Sequence, residues 1–135
     1  MKVLVDTCIW SLALRKGQPE DNPIVQEFIS LIKDVRVQLI GPIRQEILSG
    51  IKTKQQFNKL KNYLSAFPDL SIETHDYEKA VEFYNICRKA GIQGSNTDFL
   101  ICAMSANHDL PIYTIDKDFN QYKKKLPIEL HKIRD

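Results

Sequence analysis

The feature that most constrains this chain is the stretch from Ser95 to Phe119, where an apolar helix is followed by a β-run closing on Thr114-Ile115-Asp116. Phe99, Leu100, Ile101, Cys102, Ala103, Met104 and Ala106 leave that helix almost no polar face. A helix of this kind is buried, so the fold has to be assembled around it. Its first turn nevertheless carries Asp98, and Gly94-Ser95-Asn96-Thr97 just before it supplies turn and N-cap chemistry. An unpaired buried carboxylate costs roughly several kcal/mol or neutralises itself. The helix N-terminus compensates in part. A divalent cation would compensate far more, provided that other carboxylates join Asp98 in holding it.

At 135 residues the chain is expected to form one domain, 1–135, large enough for a real core. A net charge of +2 does not by itself announce a nucleic-acid binder. The local clusters, Lys52, Lys54, Lys59 and Lys61 in one segment and Lys123-Lys124-Lys125 in another, read as solvated helix faces. Cys8, Cys87 and Cys102 form no CxxC pair and no even disulfide framework, which suits a reducing cytosol. MKVLVD enters at once on a strand-like run, too short for a signal-peptide core. No apolar run approaches the length of a membrane span. The expectation is a cytoplasmic protein with no membrane partner.

In chain order, Val3-Leu4-Val5 reads as a buried parallel strand closed by Asp6. A short helix is expected from Thr7 to Arg15, ending near Gly17. Asn22 as N-cap and Pro23 at N1 start a second helix with Ile24, Val25, Phe28, Ile29 and Ile32 at helical spacing. Val35 to Ile40 reads as a second strand. Gly41-Pro42 opens a helix through Gly50 with Ile43, Ile47 and Ile51 as its apolar stripe and Glu46 at the margin. Thr53 caps a further helix bearing Phe57, Leu60 and Leu64. Leu70 to Glu73 is a weak strand candidate. Asp76 is expected to cap a helix from Tyr77 to Lys89, with Gly91 at its C′ position. After the organising helix come a strand from Ile112 to Ile115, a short basic helix, and a last strand around Leu130 to Ile133. Strands alternating with helices imply an α/β protein, an α/β/α sandwich with a central, mostly parallel sheet. Ligands of such folds bind outside the carboxyl ends of the strands. Asp6 and Asp116 lie at two such ends, and Asp98 heads a helix that enters from the same rim.

Each acid also has a bland role. Asp6 and Asp116 can cap the helices that follow them, Glu46 can be a solvated helix residue, and Asp98 can favour a helix dipole. Their common position argues for more. Crowded carboxylates raise one another's pKa unless a cation neutralises them, and all-oxygen ligands select Mg²⁺ or Mn²⁺ over zinc. Asp118 is a fifth acid nearby. Thr7 and Thr114 flank Asp6 and Asp116 closely enough to orient their carboxylates. His75, His108 and His131 have no ligand spacing. No phosphatase loop, Walker loop, GxGxxG or serine elbow is present.

VDT at 5–7, RQEILSGI around Glu46, GSNTDFLICA at 94–103 and TIDKDF at 114–119 together resemble the PIN-domain nucleases, and among them the VapC-type toxins of prokaryotic toxin–antitoxin pairs. The resemblance runs the full length, with the pieces in order. It implies a PIN-like α/β/α fold and a Mg²⁺-dependent endoribonuclease, with Mn²⁺ as a possible substitute. The acidic quartet then maps onto Asp6, Glu46, Asp98 and Asp116, with Asp6, Asp98 and Asp116 as metal ligands and Glu46 acting through water. It further implies an RNA substrate cut to a 5′-phosphate and a 3′-hydroxyl, a homodimer, and a cognate antitoxin that fills the site. Cys8 departs from the family, which often has Asn or Ser there, and cysteine is a poorer hydrogen-bond partner. The competing reading is a receiver-like Mg²⁺-binding regulatory module without hydrolysis. A receiver needs an acidic pair directly after its first strand, and here Asp6 is followed by Thr7.

Overall fold

The computed structural model describes residues 1–15 and 21–134. Three strands form a parallel sheet: β1 (Val3–Val5) at the centre, β2 (Val37–Gln38) on one side and β3 (Ile112–Tyr113) on the other. Val3 is in register with Val37, and Leu4 with both Gln38 and Ile112. Val3, Leu4 and Val5 are all fully buried, as an unbroken apolar run in a sheet covered on both faces demands.

Helices α1 (Thr7–Leu14), α2 (Pro23–Lys33), α3 (Gly41–Leu48), α4 (Lys54–Leu64), α5 (Thr74–Lys89), α6 (Asn96–His108) and α7 (Asp118–Lys123) flank the sheet. The start signals act as their chemistry requires. Asn22 Oδ1 accepts from the Ile24 N–H at 2.9 Å, and Thr53 Oγ1 from that of Gln56 at 3.1 Å. Helix α6 is the pillar of the fold: every residue from Phe99 to Ser105 is buried, and α5 packs along it. Trp10 of α1 sits edge-on to Phe28 and Phe67, with ring centroids 4.8 and 5.3 Å away. Among the described residues, no helix is long and apolar enough to cross a membrane.

The regular elements are shorter than the sequence suggests. Val35 does not begin a strand: it lies at φ 55° as the left-handed residue closing α2. Its N–H bonds to the Ile32 carbonyl and that of Arg36 to Leu31, a helix-closing turn that delays the strand to Val37. The strand expected to run to Ile115 stops at Tyr113, because Thr114 turns its hydroxyl into local hydrogen bonds described below. Leu70 to Glu73 forms no strand, the parallel bridge there joining Leu39 to Asp69, and the last expected strand reduces to one bridge between Ile112 and Leu130. Asp76 is not an N-cap. The helix starts at Thr74, and Asp76 sits inside its first turn with Oδ2 accepting the Glu73 N–H at 2.9 Å. The expected helix end near Gly17 lies outside the described residues.

Candidate active site

The site begins where β1 and β3 end side by side. The Asp6 N–H donates to the Tyr113 carbonyl at 2.9 Å, which brings Asp6 opposite Thr114. Asp6 is almost wholly buried, at 8% exposure, and its carboxylate is spoken for on both oxygens. Oδ1 accepts the Thr7 N–H at 2.8 Å, capping α1, and Oδ2 accepts the Thr114 hydroxyl at 2.8 Å. The same Thr114 hydroxyl accepts the Asp116 N–H at 3.0 Å, and Asp116 Oδ1 accepts the Asp118 N–H at 2.9 Å. One threonine therefore links two strand ends and fixes the Asp6 carboxylate and the Asp116 backbone. Capping and convergence on the rim are both present at Asp6, where the two roles do not compete. Asp116 is not the cap expected for α7, whose N-cap position is Lys117, and its carboxylate instead closes a turn onto the Asp118 N–H.

Asp98 reaches this rim from the start of α6, where Ser95 Oγ accepts the Asp98 N–H at 3.0 Å. Its Oδ2 accepts the hydroxyl of Tyr122, a fully buried residue of α7, at 2.6 Å. Burial pushes the Asp98 pKa up; the Tyr122 hydrogen bond opposes the rise, and the charges of Asp116 and Asp6 add to it. Asp98, Asp116 and Asp118 each offer an oxygen such that the three lie within 4.8 Å of one another. The structure therefore brings Asp118 into the closest group, while Asp6 stands beside it, coupled by charge.

Glu46 projects from α3 as an exposed residue, yet its pKa is raised by loss of water around the carboxyl and then by Asp6 and Asp98. The Thr7 hydroxyl lies close enough to favour the charged form of Glu46. It falls short of hydrogen-bond geometry, however, and is a buried polar atom without a partner among the described residues. All five acids thus belong to one electrostatic neighbourhood. Its donor set, oxygen only, suits a hard divalent cation, and the raised pKa values of Asp98 and Glu46 are what such a cation would relieve.

Cys8 takes part in the same turn. Its sulfur is 3.3 Å from the Thr114 hydroxyl and accepts the Ile115 N–H at 3.4 Å. Burial pushes its thiol pKa up, so it is a packing and bracing group rather than a nucleophile. Tyr113 and Phe119 are buried in the core. Tyr122 escapes a reading of the sequence, and so does the part that Gly94 plays beside it. Tyr122 orients Asp98, and Gly94 leaves room for it: a Cβ at Gly94 would lie 2.5 Å from the Tyr122 hydroxyl. The available signal for Tyr122 is its place three residues after Phe119, on the inward face of a short helix, where a buried phenol needs an acceptor.

Beside the acids runs a groove of about 710 Å³ between α1, α3 and α4. Leu14, Ile47, Ile51, Leu60 and Tyr63 make it apolar, and Arg15, Lys59 and Glu46 lie along its border.

The model of the PIN domain family matches residues 3–125. A VapC ribonuclease of Mycobacterium bovis and ribonuclease VapC11 of Mycobacterium tuberculosis are each 28% identical over 120 residues, covering 87% of this chain and 89% of the relative. FitAcB from Neisseria gonorrhoeae superposes with a TM-score of 0.78 at 20% identity, over 96% of both chains. VapBC2 from Rickettsia felis, bound to a DNA fragment from its promoter, gives 0.76 at 19% identity over the whole of both chains. A toxin–antitoxin complex from Klebsiella pneumoniae gives 0.65 at 20% identity, over 87% and 90%. At these identities the superpositions establish a shared fold.

Proposed function

The chain belongs to the PIN domain family, and from that premise we propose that it is a Mg²⁺-dependent endoribonuclease, the toxin of a toxin–antitoxin pair, working in the cytoplasm. The observation that carries the reading is the convergence of Asp98, Asp116 and Asp118, with Asp6 and Glu46 coupled to them, at the carboxyl rim of a parallel sheet. Ribonuclease relatives and a toxin–antitoxin neighbour of the same fold support it.

In this reading Asp6, Asp98 and Asp116 hold Mg²⁺, with Mn²⁺ as a substitute, and Asp118 lies within the same radius as Asp98 and Asp116. The ion, when bound, polarises the scissile phosphate and makes water a competent nucleophile at neutral pH. The chain's own residues do the rest. Thr114 holds Asp6 and the Asp116 backbone in register, and Tyr122 fixes the Asp98 carboxylate. Glu46, exposed and with its pKa raised by lost water and by Asp6 and Asp98, acts through water as the proton acceptor. Lys52, Lys54 and Lys117, all exposed, guide the RNA backbone past an acidic cleft. The products are a 5′-phosphate and a 3′-hydroxyl.

The groove beside Glu46 suits the antitoxin. An amphipathic helix covers Leu14, Ile47, Ile51, Leu60 and Tyr63, and a basic side chain at its end reaches the carboxylates. A homodimer would cover the face where Tyr77 and Val81 of α5 stand exposed beside Thr97 and Leu100. Cleavage of a panel of transfer and messenger RNAs with Mg²⁺, Mn²⁺ or EDTA tests the activity. Cutting that persists in EDTA, or no cutting of any RNA with either metal, overturns the reading. Co-expression with the neighbouring small open reading frame tests the pairing, which fails if toxicity is unchanged.

A further inference from the structure

We propose a second divalent-metal site, of zinc type, formed by His75, Asp76 and His108 at the far end of α6 from the carboxylate rim. His75 and Asp76 lie in the first turn of α5, and His108 is the last residue of α6. Asp98 and His108 stand about ten residues apart on one helix, so the two sites are separated by about 15 Å along its axis. The site is independent of the proposed nuclease activity.

Asp76 is fully buried, and its carboxylate is clamped before any ligand arrives. Oδ2 accepts the Glu73 N–H at 2.9 Å, and Oδ1 accepts the Asn107 side-chain amide at 2.9 Å. That same Oδ1 faces two imidazoles, with His108 Nε2 at 3.1 Å and His75 Nε2 at 3.5 Å. The three donor atoms all lie within 4.8 Å of one another. Bonds of about 2.0–2.1 Å to a tetrahedral zinc ion set its ligand atoms about 3.3 Å apart, and the two observed spacings straddle that length. Held by hydrogen bonds alone, the arrangement is poorer: two imidazole N–H groups, on rings 6.3 Å apart, would compete for an oxygen that already accepts an amide. A metal ion replaces both protons and uses the nitrogen lone pairs.

The surroundings are those of a ligand set. Glu73 and Asn107 orient the carboxylate from behind, as partners of ligating groups do. His75 is exposed and His108 partly so, which leaves the fourth position open to solvent. Two nitrogens and one oxygen select a borderline ion such as Zn²⁺ over Mg²⁺, whereas the all-oxygen rim has the opposite preference. An ion here would pin the first turn of α5 to the last turn of α6.

Zinc titration of the chelator-treated chain, with excess Mg²⁺ added to compete at the all-oxygen rim, tests the site. The expected result is one Zn²⁺ bound per chain by calorimetry, a higher melting temperature, and Co²⁺ absorption of tetrahedral type. His75→Gln and His108→Gln should each weaken Zn²⁺ binding by about tenfold or more, while Asp98→Asn leaves it unchanged. His75 is exposed, so its variant keeps the fold. Zinc binding that survives both histidine variants, zinc binding abolished by Asp98→Asn, or no binding at micromolar zinc overturns the proposal.

Discussion

Two acids in this molecule lose water on folding and respond in opposite directions. Glu27 of α2 is buried, which pushes its pKa up, yet hydrogen bonds from Arg134 and His131 outweigh that and hold it below the ordinary carboxylate value. Arg134 Nε approaches Glu27 Oε2 at 3.1 Å and His131 Nε2 approaches it at 2.6 Å, fastening the end of the chain to α2. Asp98 loses water too, but it meets one tyrosine hydroxyl and two further carboxylates, and its pKa stays raised. The first cause is the same; the neighbours decide the direction. Where the chain needs a fixed strut it supplies Arg134 as a counter-charge. At the rim no ion pair among the described residues plays that part, and the acids there form a strained set of charges of the kind found at functional sites.

This contrast is broken most decisively by exchanging what each acid controls. Asp98→Asn should lower RNA cleavage at least about a hundredfold, since it removes a ligand charge from metal-assisted chemistry. The purified variant should melt no lower than the parent in EDTA. Glu27→Gln should do the reverse, costing about 2 kcal/mol in urea unfolding through the lost charge-assisted hydrogen bonds, with cleavage per folded molecule unchanged. If Asp98→Asn cuts RNA at the parent's rate, or Glu27→Gln abolishes cutting in folded protein, the division between strut and site is wrong.

A smaller effect sharpens the comparison inside the rim. Tyr122→Phe removes the stronger of the two neutral hydrogen bonds, from Tyr122 and Ser95, that favour the charged form of Asp98, so Mg²⁺ affinity should fall about tenfold, read by titration of cleavage against Mg²⁺. Saturating Mg²⁺ should restore most of the rate. An unchanged Mg²⁺ requirement would reduce Tyr122 to a packing residue.

Tyr122 also marks the limit of what the sequence makes legible. Asp6 can be placed without a structure, because Val3-Leu4-Val5 announces the buried parallel strand that it closes; Asp116, expected to end a strand in the same way, instead lies three residues beyond the end of β3. Asp98 is legible from the conflict between a charged first turn and an apolar helix. The link from Tyr122 to Asp98 joins residues 24 apart, and no periodicity encodes it. The meeting of His75 with His108 through Asp76 is hidden in the same way, by a loop between two helices. Strand lengths are misjudged for a different reason. Val35 and Thr114 favour strands by type, but one closes a helix and the other spends its hydroxyl on two carboxylate loops. Tertiary hydrogen bonds override propensity at such boundaries.

The subtlest expected effect is a pH dependence with two limbs of opposite slope. Asp98 and Glu46 have folded pKa values above their ordinary 3.8 and 4.5. The folded chain therefore binds protons at these groups more readily than the unfolded chain, so their strain is complete at neutral pH and is relieved as pH falls through the raised values. Glu27 and Asp76 have folded pKa values below their ordinary 4.5 and 3.8. Their stabilisation is complete above those ordinary values and is lost as pH falls through the depressed ones. In EDTA the melting temperature should therefore rise slightly on the way down from pH 7, pass a maximum above about 4.5, the ordinary glutamate value, and then drop. Because the rim is open to water, the rise should be only about one or two degrees. Millimolar Mg²⁺ should raise the neutral-pH melting temperature and erase the first limb, since an ion bound to the native rim already offsets the repulsion. Glu46→Gln should flatten that limb without metal, and Glu27→Gln should soften only the acid drop. A melting temperature that falls steadily from pH 7 in EDTA, with the same profile in Mg²⁺, would show that the rim carboxylates are no more strained than the struts.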